Sequence, residues 1–390
     1  MKIKVAVFFG GKSTEHEISI ITAVQAMAAF DKDKYEVIPI YITKTNELYT
    51  GIGLDRIEAY RDMPLLLKRS MRVTLQSGNG RVSAVRYPYK LFGGVLHESI
   101  DIAFPIVHGT NVEDGTIAGW LNMLNLPYVG CDVLSSAVGM DKYVMKAVLK
   151  DNSLPVLDCR CFYSYEYDKN LPGVIEKVES AFAYPVIVKP INLGSSIGIK
   201  KAFNEDELKD ALELAFTFAP RVLVEPAVTN LREINCAVLG DVEDAEASEC
   251  EEPFSADEIL SFEEKYISGS KVKGMEAMAR KLPADLDASR REKIRTLAVK
   301  AFKALGCGGV ARVDFLMDNE SGRIYINEVN TIPGSLSFYL WEQAGVKYPE
   351  LLDKMVSLGL KRKRTEENLV FSFDSNVLQN ARLGGKKGKF

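Results

Sequence analysis

Histidine is scarce in this sequence. Among 390 residues there are only three histidines, His16, His97 and His108, and they lie apart from one another along the chain. Neighbouring helix positions therefore cannot supply an all-histidine zinc site. Any catalytic metal ion is expected to take oxygen ligands instead.

Paired cysteines and long apolar segments are also missing. The six cysteines are scattered and form no Cys-x-x-Cys pair, and a chain of this size does not need disulfides to fold. No apolar run approaches the roughly 18 residues of a membrane span. The apolar opening stretch meets Gly10, Gly11 and Lys12 before it could form the core of a signal peptide. We therefore expect reduced thiols, no membrane partner and a cytoplasmic protein.

The composition has no strong excess of one charge. Lysine and arginine number 49 against 53 aspartates and glutamates, which gives a net charge of −4. Such a chain lacks the positive charge that nonspecific nucleic-acid binding requires. With 47% hydrophobic residues it can fold, and its length is about two to three times that of a usual domain. We expect a multidomain protein with a small-molecule partner and no nucleic-acid partner. The oligomeric state stays open, with a homodimer as one option.

The first third of the chain alternates strand-like and helix-like segments, as a parallel α/β domain does. Apolar residues recur at helical spacing from Ile18 to Phe30, and glycines punctuate residues 46–93, which are expected to form an excursion from the sheet. Core strands are predicted at Lys4–Phe9, Val37–Ile42 and Ile102–Val107. A helical stretch runs from Ser135 to Lys150, so a domain boundary is placed near residue 131.

The remaining sequence predicts two further groups of strands. In the first group a glycine- and serine-rich loop joins two strands, Asn204 starts a helix with a capping box, and an edge strand ends at a hinge near Pro226. Its strands are Pro185–Lys189, Ile197–Lys201 and Val222–Glu225. The second group holds strands at Ile234–Leu239, Val310–Met317 and Ile324–Val329 and a helix from Ser289 to Leu305. After the basic run that starts at Lys361 the sequence becomes a polar tail.

One predicted hairpin carries four polar side chains on a single face. The turn Asp318–Gly322 places Asp314 opposite Glu328, and the two-residue alternation of strands adds Arg312 and Asn330 to the same face. Two unpaired carboxylates there would be unfavourable, and a divalent cation that takes carboxylate and amide oxygens removes this cost. We predict a magnesium site on this face. The alternative is a surface hairpin with an ordinary salt bridge.

Another region has features that suit a phosphate group. The loop Gly194–Gly198 lies just beyond Lys189, so backbone N–H groups and an ammonium group would lie close together. Lys142 is a further candidate for a phosphate contact. Glycine-serine turns are often purely structural, and an exposed helix lysine is an ordinary surface feature, so both alternatives stay open.

The segment Gly10–Thr14 is not a phosphate-binding P-loop, because Ala6 occupies the position of the first glycine of that motif. Thr14 and Glu17 have the spacing of a helix capping box. Glu15 is not used by this box and lies at the carboxyl end of a strand, where open α/β sheets bind ligands. We expect Glu15 to pair with a substrate ammonium group. His108 also follows a strand, although a structural role is the ordinary explanation there.

Six motifs occur in the order found in a known family. The sequence resembles the D-alanine:D-alanine ligases of the ATP-grasp superfamily over nearly the whole chain, to about residue 360. The resemblance rests on Phe9–Glu17, His108-Gly109 with Glu113–Gly115, Met140–Lys142, Lys189-Pro190 with Gly194–Gly198, Arg312–Asp314 and Asn327–Gly334. It implies an ATP-grasp fold of mixed α/β and α+β class, with an N-terminal parallel α/β domain followed by two ATP-grasp subdomains. The implied parts are a substrate-binding domain at 1–131, a central subdomain at 132–228, a catalytic domain at 229–360 and a polar basic tail at 361–390.

The resemblance also implies a reaction and its residues. ATP would phosphorylate the carboxylate of one D-alanine, and the amine of a second D-alanine would displace phosphate to give D-alanyl-D-alanine for peptidoglycan synthesis. For ATP, Lys142, Lys189, Lys265 and Ser196 would contact phosphates, Glu225 the adenine and Glu233 the ribose. Asp314, Glu328 and Asn330 would hold two Mg²⁺ ions, with Mn²⁺ as a substitute. For the substrates, Glu15 with His108 nearby would take the first ammonium group, Arg312 and the backbone N–H of Gly334 would stabilise the oxyanion, and Ser195 with Tyr266 would link to Glu15 and close a loop over the site.

The sequence departs from the family pattern after Gly334. The segment Ser335–Trp341 is about four residues shorter than the family segment that normally binds the carboxylate of the second substrate. The acceptor therefore stays open between D-alanine, D-serine, D-lactate and a different amine, although Tyr266 favours an amino acid. A nucleotide-binding regulatory protein without turnover is a further alternative, against which Arg312 and the predicted metal ligands argue. A dehydrogenase is not indicated, because no G-x-G-x-x-G motif follows the first strand.

Overall fold

The computed structural model describes residues 2–89, 94–194, 196–253 and 280–372. Three β-sheets follow one another along the chain and hold seven, four and five strands. Helices pack on each of them, so the predicted mixture of helices and sheets is confirmed. In the parts of the chain that the structure describes, every helix is too short or too polar to cross a membrane.

The first sheet is parallel only at one end. Its strand order is β6-β5-β4-β3-β2-β1-β7, and β1 pairs in parallel with β2 and with β7, whereas the other neighbours are antiparallel. The strands are β1 (Ile3–Gly10), β2 (Tyr35–Ile42), β3 (Leu48–Thr50), β4 (Met71–Gly78), β5 (Arg81–Arg86), β6 (Val95–Ile100) and β7 (Ile102–Ile106). The excursion expected from residue 46 onward is wrong, since β3 to β5 extend the sheet. These strands alternate buried and exposed residues. In the sequence, such a half-buried pattern is a weaker signal for a strand than the continuous apolar run of β1.

The second sheet has the strand order β10-β9-β11-β8 and is antiparallel throughout. Its strands are β8 (Arg160–Tyr163), β9 (Val186–Pro190), β10 (Lys200–Ala202) and β11 (Arg221–Pro226). The prediction that Val222–Glu225 forms an edge strand is wrong, because β11 lies between β9 and β8. This explains why Val222, Leu223 and Val224 are all fully buried.

The third sheet has the order β14-β13-β12-β15-β16. Its strands are β12 (Leu231–Gly240), β13 (Ala245–Pro253), β14 (Arg280–Lys281), β15 (Gly309–Asp318) and β16 (Ile324–Asn330). The hairpin of β15 and β16 has the predicted register, with Asp314 opposite Glu328 and Arg312 opposite Asn330. A bulge between Asp314 and Phe315 interrupts the pairing beside these residues.

Ten α-helices are described. They are α1 (His16–Ala29), α2 (Met63–Arg69), α3 (Thr116–Met123), α4 (Val133–Met140), α5 (Lys142–Asp151), α6 (Ser164–Glu179), α7 (Glu205–Phe218), α8 (Ala288–Ala304), α9 (Phe338–Gln343) and α10 (Tyr348–Glu366). The single helix expected from Ser135 to Lys150 is two helices. The break falls at Asp141, whose side chain accepts hydrogen bonds from the N–H groups of Tyr143 and Val144 and so starts α5.

The basic run at Lys361–Arg364 belongs to α10, which continues to Glu366, so the polar tail predicted from residue 361 begins later. Residues 373–390 of that predicted tail lie outside the described residues. Within α10, Arg362 donates hydrogen bonds to the carbonyl oxygens of Gly130 (2.7 Å) and Tyr128 (2.5 Å). The run therefore ties the helix to the segment that follows the first sheet.

Candidate active site

A pocket lies between the second and third sheets and reaches α1 of the N-terminal region. Ten of the residues predicted for the site line it: Glu15, Lys142, Lys189, Ser196, Glu225, Glu233, Arg312, Asp314, Glu328 and Asn330. His108 and Gly334 are not among the lining residues. Ser195, Lys265 and Tyr266 lie outside the described residues, so their predicted roles stay predictions.

Strand pairing in the third sheet lines up four polar side chains. Glu251 on β13 lies opposite Asn235 on β12, Asn235 lies opposite Asp314 on β15, and Asp314 lies opposite Glu328 on β16. All four line the pocket. With strands about 4.8 Å apart, this row crosses roughly 14 Å of the pocket floor.

The predicted metal ligands hold their neighbours in a tight network. Arg312 contacts Asp314 with two hydrogen bonds, from Nε to Oδ1 (2.6 Å) and from Nη2 to Oδ2 (2.7 Å). Asn330 Nδ2 donates to the same Oδ2 at 2.9 Å, and Lys142 Nζ lies 3.4 Å from Glu328 Oε2. Burial disfavours the charged guanidinium, but Asp314 outweighs it and raises the pKa of Arg312.

The oxygen donors fit a hard divalent cation. Within the described residues there is no group of three or more His, Cys, Asp or Glu side chains that could hold a metal ion. Asp314, Glu328 and Asn330 instead provide two carboxylates and one amide on adjacent strands. This is the donor set of a metal ion that keeps part of its coordination for waters or for the phosphates of a ligand.

Lys142 and Lys189 face this row from the other side of the pocket, and both are buried. Lys142 Nζ donates to the carbonyl oxygen of Leu193 at 2.7 Å, and Lys189 Nζ donates to Asn327 Oδ1 at 2.9 Å. Lys142 is the first residue of α5 but is only 6% exposed, so the alternative of an exposed helix lysine is wrong. The pocket thus brings two ammonium groups toward two carboxylates.

Glu225 is almost completely buried and is held by two lysines. Lys146 Nζ lies 2.5 Å from Oε2, and Lys189 Nζ forms an ion pair with Oε1. Burial by itself would raise the pKa of this carboxyl group, but the two ammonium groups outweigh it and lower the pKa to about 2. Glu225 is therefore ionised at neutral pH.

Glu15 lies where the N-terminal region meets the loop after β9. A Cβ atom added to Gly194 would lie 3.2 Å from Glu15 Oε1, and one added to Gly109 would lie 3.0 Å from Oε2. The two glycines therefore allow the backbone to approach this carboxylate closely. Ser196 follows in the same loop with φ of +57° and also lines the pocket.

The capping box predicted for Thr14 and Glu17 is wrong. Helix α1 begins at His16 with Glu15 as its N-cap residue, and no side chain makes the capping hydrogen bond. Glu17 instead pairs with Lys44 at 2.6 Å on the surface. The β1–α1 turn is held by a different bond, between the ring Nδ1 of His16 and the carbonyl oxygen of Gly11 at 2.6 Å.

His108 is a buried link between two parts of the chain. Its Nδ1 lies 2.8 Å from the carbonyl oxygen of Ile332 and its Nε2 lies 3.1 Å from Thr22 Oγ1. Burial lowers the pKa of His108 to about 4, so the ring is neutral at pH 7. The backbone N–H of Ser335 donates to the same Thr22 hydroxyl at 3.0 Å. His108 therefore orients the loop that contains Gly334.

Glu113 supports the same loop. Its Oε1 accepts from the N–H of Ile332 (2.9 Å) and from Thr331 Oγ1 (3.2 Å), and its Oε2 accepts from the N–H of Gly109 (2.9 Å). Burial raises the pKa of Glu113 to about 7, and the nearby Glu15 adds to the shift. The sequence motif contains Glu113, but nothing local distinguishes it from the neighbouring Asp114.

Sequence reasoning missed several residues of the pocket or its walls: Lys146, Asn235, Glu251, Arg280, Asn327 and Tyr339. The signal for Lys146 was available, since it lies one helical turn after Lys142. Asn327 lies next to Glu328, as the first residue of the family motif Asn327–Gly334. Arg280, Glu251 and Tyr339 come from three distant segments, and only strand pairing and the packing of α9 bring them together.

Comparison with known proteins identifies two matching family models. The model described as D-ala D-ala ligase N-terminus matches residues 4–131, and the one described as D-ala D-ala ligase C-terminus matches residues 148–357. Together they cover more than half of the chain.

Curated relatives are similar over nearly their whole length. A D-alanine–D-alanine ligase of Thermosipho melanesiensis is 38% identical over 377 residues, which are 97% of this chain and 98% of the relative. A D-alanine–D-alanine ligase of Acetivibrio thermocellus is 42% identical over 373 residues, covering 93% of this chain and 96% of the relative.

Solved structures have the same fold. The D-alanine-D-alanine ligase from Coxiella burnetii superimposes with a TM-score of 0.78 at 31% identity and covers 94% of this chain and 96% of its own. The VanG D-Ala:D-Ser ligase from Enterococcus faecalis gives a TM-score of 0.76 at 31% identity, covering 92% of this chain and 100% of its own.

Proposed function

The chain belongs to the D-alanine–D-alanine ligase family, and we propose that it joins two D-alanine molecules into D-alanyl-D-alanine in an ATP-dependent reaction. This is the family's contribution to peptidoglycan synthesis. The fold is the ATP-grasp fold of its structural neighbours. Members of this family use ATP and a divalent metal ion.

One observation supports the assignment most strongly. The carboxylates of Asp314 and Glu328 and the amide of Asn330 line one wall of the pocket, and Lys142 and Lys189 line the facing wall. A polyphosphate needs cations on both sides, and this arrangement supplies ammonium groups on one side and metal ligands on the other. When bound, ATP would supply the phosphoryl group that activates the donor carboxylate, and Mg²⁺ held by Asp314, Glu328 and Asn330 would neutralise the charge of its phosphates.

We assign the two ends of the pocket from the register of the third sheet. Glu233 lies two residues before Asn235 on β12, toward Leu231 and the hinge at Pro226, and it is proposed to contact the ribose. Arg312 lies at the opposite end of the same face, toward Glu15, where the amino acids are proposed to react. Glu225 is still proposed to lie near the adenine. It is also proposed to position Lys189, because the two residues form an ion pair.

At the reacting end, this chain's residues bind and orient the substrates. Glu15 is proposed to pair with the ammonium group of the first D-alanine. Arg312 and the N–H of Gly334 are proposed to stabilise the negative charge that develops on the acyl oxygen when the second amine attacks. His108 is neutral and bonded to Ile332, so its proposed role is to hold the Gly334 loop rather than to supply charge.

D-alanine is the proposed second substrate. The curated relatives named above are D-alanine–D-alanine ligases, and a different acceptor is not favoured. The shortened segment after Gly334 is proposed to change how the acceptor is held, while the class of molecule that the pocket takes is proposed to stay the same.

The experiment is a product assay. The purified protein, incubated with D-alanine, ATP and Mg²⁺, is expected to yield D-alanyl-D-alanine, detected by mass, with one phosphate released per dipeptide. Asp314→Ala and Glu328→Ala should reduce the rate by at least about 1,000-fold while the protein stays folded. Glu320→Ala, in the exposed turn of the same hairpin, is the matched control and should retain full activity. Equal phosphate release with L-alanine, or without any amino acid, would refute the assignment.

A further inference from the structure

Arg280 is a cation in the pocket with no part in the roles assigned above. It is the first residue of β14, pairs with Pro253 on β13 and lines the pocket with only 12% of its side chain exposed. It lies on the strand pair at one end of the polar row, whereas Glu328 lies at the other end, two strands beyond Asn235. Arg280 therefore lies at the opposite end of the polar row from the ion pair of Lys142 and Glu328.

Arg280 is held by the carboxylate of Glu251, which accepts hydrogen bonds from three side chains. Glu251 is 4% exposed and accepts from Arg280 Nη1 (3.2 Å), Asn235 Nδ2 (3.1 Å) and the hydroxyl of Tyr339 (2.9 Å). The guanidinium carbon of Arg280 also lies 4.3 Å from the centre of the Tyr339 ring. This stacking and the Nη1 bond orient the planar guanidinium and restrict its motion.

The free edge of the guanidinium suits a carboxylate. Among the described residues, Arg280 donates one hydrogen bond, through Nη1 to Glu251. Its Nε and Nη2 have no partner within that part of the chain, and they are two parallel donors, the geometry that binds a carboxylate with two hydrogen bonds. Lys142, Lys189 and Arg312, three other cations of the pocket, already have proposed roles at the phosphates and the oxyanion, and they pair with Glu328, Glu225 and Asp314 respectively.

The segment after Gly334 explains why such a group is needed. Ser335, Leu336 and Ser337 form a tight left-handed turn with φ near +50°. Ser335 Oγ is turned away to Gln25 (2.7 Å) and Ser337 is fully buried, and neither residue lines the pocket. Tyr339 is the residue of this segment that reaches the pocket, where it stacks on Arg280. The short segment therefore places the ring of Tyr339 against Arg280, and it places no serine hydroxyl in the pocket.

We propose that Arg280, oriented by Glu251 and Tyr339, binds the carboxylate of the second D-amino acid and so selects the acceptor. The inference rests on the proposed ligase function. Arg280 is the recognition residue in contact with substrate, whereas Glu251 and Tyr339 are positioning residues. Because the recognised group is the carboxylate, D-alanine, D-serine and D-lactate share this contact and an acceptor amide lacks it.

The test is a competition between two acceptors. The enzyme receives D-alanine and D-alaninamide in equal amounts with ATP and Mg²⁺, and mass spectrometry gives the ratio of D-alanyl-D-alanine to D-alanyl-D-alaninamide. The wild type should make almost only the dipeptide acid. In Arg280→Gln the ratio should fall about 100-fold, because the two hydrogen bonds to the carboxylate are lost. The KM of the first D-alanine should change by less than about twofold.

The ratio does not depend on how much of the variant is folded, so partial misfolding leaves it interpretable. Arg280→Lys keeps the charge but not the paired donors, and its ratio should fall about tenfold; it also replaces Arg280→Gln if that variant is insoluble. Lys281→Gln is the matched control, since Lys281 pairs with Asp285 on the surface and should leave the ratio unchanged. An unchanged ratio in both Arg280 variants would overturn the inference. A wild type that makes neither product would instead overturn the proposed function.

Discussion

At the scale of single residues, two buried carboxyl groups show how the surroundings decide the charge. Glu225 lies between two ammonium groups, which lower its pKa to about 2. Glu113 is also buried, but its hydrogen-bond donors are all neutral, so burial dominates and, with a contribution from Glu15, raises its pKa to about 7. The two groups should therefore make the protein respond to pH in opposite directions.

For Glu225, the lowered pKa stabilises the folded protein above the ordinary value near 4.5, and this stabilisation is lost as the pH falls toward 2. Its size is about 3 kcal/mol at neutral pH. We expect Glu225→Gln to be less stable than the wild type at pH 7, with a difference that shrinks between pH 5 and pH 2. Urea unfolding at a series of pH values measures this. Glu213→Gln, on the exposed face of α7, is the control, and a pH-independent difference for Glu225→Gln would contradict the ion pairs.

For Glu113 the sign is reversed. A raised pKa favours folding when the carboxyl is protonated, so its contribution is complete below about 4.5 and is lost as the pH rises through 7. The wild type should therefore lose up to about 3 kcal/mol relative to Glu113→Gln between pH 4.5 and pH 8. The same urea titration tests it. Parallel stability curves for the two proteins would show that Glu113 is not perturbed.

At the scale of elements, a helix cap places a pocket lysine. Asp141 caps α5 through the N–H groups of Tyr143 (3.1 Å) and Val144 (2.9 Å) and also binds Arg221 Nη1 at 2.7 Å. Lys142 is the next residue, so the cap determines where its ammonium group points. Asn204 caps α7 in the same manner, with Oδ1 accepting from the N–H of Glu207 at 3.0 Å, but it is not part of the pocket.

Asp141→Ala and Asn204→Ala should separate stability from ATP binding. Each variant loses a cap, and we expect about 1 kcal/mol of destabilisation for Asn204→Ala and about 2 kcal/mol for Asp141→Ala, which also loses its arginine partner. Asp141→Ala alone should raise the KM for ATP, by about tenfold. Thermal unfolding and ATP titration give the two quantities. An equal KM in both variants would contradict the role of the cap.

At the scale of the whole molecule, the N-terminal and C-terminal parts share one core. A single cluster of buried apolar side chains joins β1 and β7 of the first sheet with β12, β15 and α10. The second sheet has a separate core with α6 and α7. The domain boundaries proposed at residues 131 and 228 fall between sheets, yet the outer two parts are expected to unfold together.

Arg362→Ala tests this coupling. The substitution removes both hydrogen bonds to residues 128 and 130 and the stacking on Tyr128, whose ring centre lies 4.1 Å from the guanidinium. We expect about 2 kcal/mol of destabilisation and a parallel loss of hydrogen-exchange protection in β7 and β15, with less change in β9. Arg364→Ala, on the exposed side of α10, is the control. Loss of protection confined to α10 would show that the parts unfold independently.

The sequence by itself determined what depends on neighbouring residues. Alternation along two strands and one turn was enough to place Asp314 opposite Glu328, and the structure has this pairing. The cap at Asn204 and the helix predicted from Ser289 to Leu305, which corresponds to α8, were likewise local patterns. Such features are set by backbone geometry over a few neighbouring residues.

Only the tertiary structure decided which charges meet. Lys146 and Glu225 are 79 positions apart, and Tyr339 and Glu251 are 88 positions apart, so no local pattern relates them. The central place of β11 follows from strand order, and the burial of Lys142 follows from its long-range contacts with Leu193 and Glu328; the sequence revealed neither. Burial and ion pairing depend on long-range packing, because a side chain loses water only when distant segments close around it.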